Sequence, residues 1–200
     1  MQSNIEEIPG LAEAIEKEQT RRNLAFSDSL LPVGGVWVQQ FTPWHWVNLR
    51  LIRSPFLGGD RGQPYSSAAV LEFLWIVSPQ YRPAAYWRQI WFFVRNYGTI
   101  RPATAAAIYD YLDAAFQDAP ARQIGAPQSR SYFAGITSLM DFFGREYGWD
   151  DAMTMRKPLA RLFQYFKCHQ QRNDPKMPLF NPSDRVRGQA LHARNSAAKN

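Results

Sequence analysis

Apolar positions recur at helical spacing along most of the chain and at strand spacing in one place. After Pro9, residues Leu11, Ala14 and Ile15 stand among Glu, Lys and Arg. That pattern reads as a short amphipathic helix with proline in its first turn. Its apolar stripe is thin, so it needs a surface to dock on, either the body or a partner. In LLPVGGVWVQQF, residues Val33, Val36, Trp37 and Val38 flank Gly34-Gly35. A glycine pair accepts positive φ, and the segment predicts a β-hairpin. Two strands are barely stable alone, so the hairpin must pack on helices.

The helices that follow carry their own punctuation. Thr42 is an N-cap and Pro43 a first helical residue, and the run ends at Ser54-Pro55. Ser66 or Ser67 caps AAVLEFLWIV, which Ser78-Pro79 terminates. That helix is apolar nearly all round, the mark of a central one. Pro83 opens AAYWRQIWFFVRNYG, with Gly98 at its end, and Pro102 opens ATAAAIYDYLDAAFQ. After the loop DAPARQIGAPQS, the stretch SYFAGITSLMDFFGREYG predicts a helix ending near Gly148. Asp150 caps a short turn, and Pro158 starts LARLFQYFKCHQQ. The expected fold is mainly α, a compact bundle of six to seven helices with one short β-hairpin near the N-terminus. Three parts follow: an acidic helix and linker (1–29), a helical domain with the hairpin (30–171), and an extended basic tail (172–200).

Charge reinforces that division. Residues 1–24 hold five acidic and three basic groups, while 172–200 hold six basic and two acidic. The whole chain has a formal net charge of +6, so the tail carries more than its share. It has three prolines and no sustained period, which predicts a flexible segment. The N-terminus is acidic and has no basic-then-apolar signal pattern, so secretion by that route is not expected. The longest apolar stretch, around 70–77, is broken by Glu72 and falls far short of the about 20 residues that span a bilayer. No membrane association is therefore expected.

Catalytic patterns are missing. The single cysteine, Cys168, excludes an intramolecular disulfide. His45, His169 and His192 have no zinc-type spacing, and Cys168-His169 reads as a packed thiol beside a capping histidine. No G-x-S-x-G elbow occurs, and neither Gly34-Gly35 nor Gly58-Gly59 belongs to a phosphate loop. Asp150-Asp151 and Asp110 with Asp113 read as a helix cap and a solvated face. The expectation is a binding protein with no catalytic residues, cofactor or metal.

Candidate contact residues fall in three groups. Trp44-His45-Trp46 could form a stacking platform, or Trp46 could pack inward while His45 bonds locally. Trp87-Arg88 and Trp91 with Arg95 interleave cations and rings, and Trp91 and Arg95 stand four apart on one helix face. That face suits ordinary packing or a protein interface better than nucleic acid, because no nucleic-acid module accompanies it. In the tail, Leu179 and Phe180 make a small apolar anchor, and Arg185 and Arg187 a modest electrostatic contact. The excess of rings, 14 % of the chain with seven Trp, also suits an interface.

Several stretches together resemble a known group. They are Thr42-Pro43-Trp44-His45, Ser54-Pro55-Phe56, LEFLWIVSPQY at 71–81 and REYGWDDAMTMRKPLARLFQYF at 145–166. In this order the series resembles small proteins from the structural-gene modules of tailed bacteriophages, the tail assembly chaperone-like or tail-associated proteins. The resemblance covers roughly residues 30–170 and leaves both ends out. It implies assembly of a phage tail or virion through contacts with other phage structural proteins. The protein would act in the bacterial host cytoplasm as a chaperone or be retained in the virion, with homo-oligomerisation left open. A nucleic-acid-binding accessory role, using the Arg/aromatic face and basic tail, is the second reading.

Overall fold

Eight α-helices and one two-stranded antiparallel hairpin make up the regular structure of the described residues. The computed structural model describes residues 10–58, 65–119 and 135–174. Residues 59–64, most of the expected loop DAPARQIGAPQS, the start of the helix expected from Ser131 and the tail from 175 onward lie outside these. In chain order the elements are α1 (Leu11–Leu24), β1 (Leu31–Val33), β2 (Val36–Val38), α2 (Pro43–Leu51), α3 (Ser67–Val77) and α4 (Tyr86–Asn96). They are followed by a 3-10 turn (Tyr97–Thr99), α5 (Pro102–Phe116), α6 (Gly135–Tyr147), α7 (Asp151–Arg156) and α8 (Leu159–Asn173). The mainly α expectation holds, with eight helices where six to seven were counted. No described helix is long and apolar enough to cross a membrane.

The chain separates into two units, 28–163 and a smaller one that joins the N-terminal residues to those from 164 onward. The second boundary falls inside α8, which runs to Asn173. In the smaller unit Phe26 meets Tyr165 edge-on, with ring centroids 5.9 Å apart. The inward side of α1 starts apolar, with Leu11 buried and Ala14 and Ile15 half-buried, and turns charged at Glu18. Glu18 is buried and takes two bonds from Arg21, at 2.9 and 3.0 Å, and one from Arg22 at 3.3 Å. Burial pushes its carboxyl up, but Arg21 and then Arg22 outweigh this and hold it below the usual range.

In the larger unit the hairpin turns through Gly34 (φ 56) and Gly35 (φ 85), the left-handed pair that a tight two-residue turn demands. Val33, Val36 and Val38 point inward and Trp37 outward. The turn rests on the start of α5, where a Cβ on Gly34 would collide with Thr104 Cγ2. Leaving the hairpin, the Gln39 N–H donates to the Val77 carbonyl at 2.8 Å, and the Gln39 carbonyl accepts from the Tyr111 hydroxyl at 2.7 Å. Phe41 lies among His45, Tyr111 and Phe116.

α3 is central, as its all-round apolar sequence predicts. Val70, Leu71 and Phe73 through Val77 are all buried. Its N-cap is Ser66, whose hydroxyl accepts from the Ala69 N–H. α6 ends at Gly148 (φ 64), and Trp149 then folds back to stack on Phe143, 5.1 Å away and 6° from parallel. The Lys157 ammonium sits over the Trp149 ring, 4.5 Å from its centre. The Asp150 carboxylate caps α7 by accepting from the Met153 N–H.

Candidate functional site

The approach to α4 differs from its sequence pattern. Pro83 reads as a first helical residue, yet the helix begins at Tyr86. Ala84 adopts φ 60, a left-handed conformation that no helix continues through, so Pro83 serves a turn instead. The far end differs as well. Gly98 is no left-handed cap; the chain tightens into the 3-10 turn, and the Thr99 hydroxyl donates to the Asn96 carbonyl at 2.7 Å. The Asn96 amide donates to the Phe92 carbonyl at 2.8 Å.

Only Phe92 of α4 is buried, with its ring 5.4 Å from that of Trp75 on α3. Gln89, Phe93 and Asn96 are half-buried on the same side. The opposite side is apolar and faces solvent. Tyr86, Trp87, Ile90, Trp91, Val94 and Tyr97 follow the three-and-four spacing of one helix stripe, and all are exposed. Trp87 is 84 % exposed and Val94 74 %. Isolated apolar side chains at a surface need no explanation, but a continuous stripe marks an interaction site. The larger apolar stripe thus faces outward, while the packed side mixes Phe92 and Phe93 with the amides of Gln89 and Asn96.

Arg88 and Arg95 border the stripe along one side. The Arg95 guanidinium lies 5.2 Å from the centre of the Trp91 ring, the pairing that the four-residue spacing predicts. Pro79, Gln80, Arg82, Trp87, Arg88 and Trp91 line an open cleft of about 510 Å³ at the N-terminal part of the helix. Trp75 and Tyr81 hold the segment before α4 in place, with rings 5.7 Å apart and nearly perpendicular. The Tyr81 hydroxyl donates to Asn48 Oδ1 at 2.8 Å, and the Asn48 amide donates to the Trp44 carbonyl at 2.8 Å.

Of the sequence-predicted contact residues, Arg88, Trp91 and Arg95 therefore share one exposed face. Trp44 is partly exposed and does not line the cleft. His45 is withdrawn from solvent at 3 % exposure and is used structurally. Its Nδ1 accepts from the Thr42 N–H at 3.2 Å, while its own N–H donates to Thr42 Oγ1 at 3.3 Å, a reciprocal cap on α2. Burial brings the imidazole down from 6.5 to about 4, although a backbone hydrogen bond with Gln40 works the other way. Trp46 packs on Phe116, edge to face at 5.5 Å. Trp44-His45-Trp46 is thus no stacking platform. Leu179, Phe180, Arg185 and Arg187 lie outside the described residues.

Tyr86, Ile90, Val94 and Tyr97 are the outward residues that sequence reasoning did not single out. Their only signal is an excess: apolar side chains surround α4, and one packed neighbour can cover only one side of it. Among the described residues no cluster of three or more His, Cys, Asp or Glu could hold a metal ion. No family model, curated protein or solved structure matches the chain.

Proposed function

We propose that this protein works by docking other proteins on the outward face of α4, as an assembly protein of a tailed bacteriophage. One observation carries the docking reading: the apolar stripe from Tyr86 to Tyr97 is left uncovered on a helix whose other side is packed. Leaving large rings in water forgoes about 1.5–3 kcal/mol for each side chain that burial would stabilise. A partner that covers Trp87, Trp91 and Val94 recovers this energy, and aromatic groups flanked by arginine are the usual anchors of such contacts. The phage assignment rests on the resemblance of the stretches within 42–166 and implies contact with other structural or tail proteins. Either a chaperone that releases its client or a retained virion component fits the same face.

The test is co-purification from cells that express the phage structural genes. Tagged full-length protein should retain one of their products, and the Trp87→Ser, Val94→Ser double variant should lose it while keeping its far-UV circular dichroism. Equal retention by both forms would refute docking on α4. A nucleic-acid role draws on one specific feature, the stacked Trp91–Arg95 pair. It predicts salt-sensitive binding of single-stranded DNA that falls when Arg88 and Arg95 are replaced.

A further inference from the structure

We propose that the partner element received by α4 is an acidic amphipathic helix, an inference that rests on the docking role of this face. Between Glu72 and Asp110 the sequence has no acidic residue and four arginines, Arg82, Arg88, Arg95 and Arg101. All four are exposed, and none is ion-paired among the described residues. The face is therefore apolar along its axis, with Arg88 and Arg95 seven residues apart on one border, Arg82 and Arg101 beyond its two ends, and no acidic residue within the segment. The matching surface presents an apolar stripe bordered by carboxylates.

The dimensions fit a helix. α4 has eleven residues, about 16 Å, so a partner of roughly three turns runs its length. Its anchors at i, i+3 or i+4, and i+7 meet Trp87, Ile90 or Trp91, and Val94. One large anchor enters the cleft between Pro79 and Trp91, where Arg82 and Arg88 stand ready for an adjacent carboxylate. Other occupants fit less well. A second copy meeting this face through its own α4 sets four arginines against four, which is repulsive. A lipid surface would leave the concave cleft unfilled. Nucleic acid has little use for the aliphatic Ile90 and Val94 at the centre of the stripe, and Arg95 already covers one face of Trp91.

The test is selection of the full chain against a displayed library of amphipathic helical peptides about as long as α4. Their anchors vary among apolar residues, and their flanks among Glu, Gln and Lys. Glu-flanked peptides should dominate, and the Arg82→Glu, Arg88→Glu variant should bind them about tenfold more weakly. Enrichment of Gln- or Lys-flanked peptides, or affinity indifferent to the charge reversal, would overturn the acidic partner while leaving the docking face intact. Selected peptides that bind the Trp87→Ser, Val94→Ser variant undiminished would overturn the face itself. The same chain is titrated with vesicles of equal parts phosphatidylcholine and phosphatidylserine, and with single-stranded DNA. Tighter binding to either than to the selected peptides would also overturn the acidic helix.

Discussion

Replacing His45 with glutamine separates two jobs that this side chain performs, capping and titration. In the native chain the imidazole is buried, and Nδ1 must stay unprotonated to accept from the Thr42 N–H. Its folded-state pKa lies near 4, against 6.5 for the free group. As pH falls below 6.5 the unfolded chain takes up a proton that the folded chain still refuses. The stability contributed by the neutral imidazole is thus complete above pH 6.5 and is lost progressively as pH falls toward 4. A shift of that size corresponds to roughly 3 kcal/mol in full, most of it gone by about pH 4.5. Glutamine at the same position can return the hydrogen bond to the Thr42 N–H, as capping boxes ordinarily do, yet it has no proton to gain. Urea unfolding followed by circular dichroism at pH 7 and near pH 4.5 measures the difference. Wild type should lose about 2–3 kcal/mol more than the His45→Gln protein over this interval. Parallel pH profiles for the two proteins would refute the assignment of a buried neutral imidazole.

Other substitutions probe the scaffold. Gly34→Ala combines a left-handed φ with a collision against Thr104, and should cost about 2–4 kcal/mol in denaturant unfolding. A cost under about 0.5 kcal/mol would mean that the turn does not rest on α5. Trp75→Ala empties the contact between α3 and Phe92 and should lower stability by about 3–5 kcal/mol. An unchanged unfolding midpoint would contradict the central placement of α3. Glu18→Gln removes the buried carboxylate that Arg21 and Arg22 share, at a cost of roughly 1–3 kcal/mol. Because its folded-state pKa is lowered, the Glu18 contribution is present above the ordinary carboxylate range and lost as pH falls through it, below the window in which His45 acts. A loss of the same size in wild type and variant at low pH would remove Glu18 from this role.

How much was legible depended on whether a residue's local chemistry had one structural outcome or two. The hairpin was readable because Gly-Gly between valines specifies a left-handed turn, and Thr42, Ser66 and Asp150 were readable as caps. The burial of α3 followed from a sequence that is apolar nearly all round, with only Glu72 breaking its later turns. Pro83 was ambiguous, since the fixed φ of proline suits a first helical turn and a β-turn equally, and Ala84 decided for the turn. The α4 face was half legible. Spacing gave the Trp91–Arg95 stack, but a helix ringed by apolar groups does not reveal which side its neighbour covers. The inward Glu18 was hidden for the opposite reason. A Glu with Arg three and four residues later looks like an ordinary solvated salt bridge, and only tertiary packing buries it. Cys168, read as a packed thiol, is exposed, because the α8 face that carries it points to solvent.

The proposed contact of this chain with phage structural proteins is tested most directly by mass spectrometry of purified particles. On the proposed role, quantified particles of a tailed phage carrying this sequence should contain the protein in fixed ratio to a structural protein. Alternatively, they should lack it while the infected cell holds it in complex with one. Absence from the particle, together with absence of any such complex, would contradict the claim.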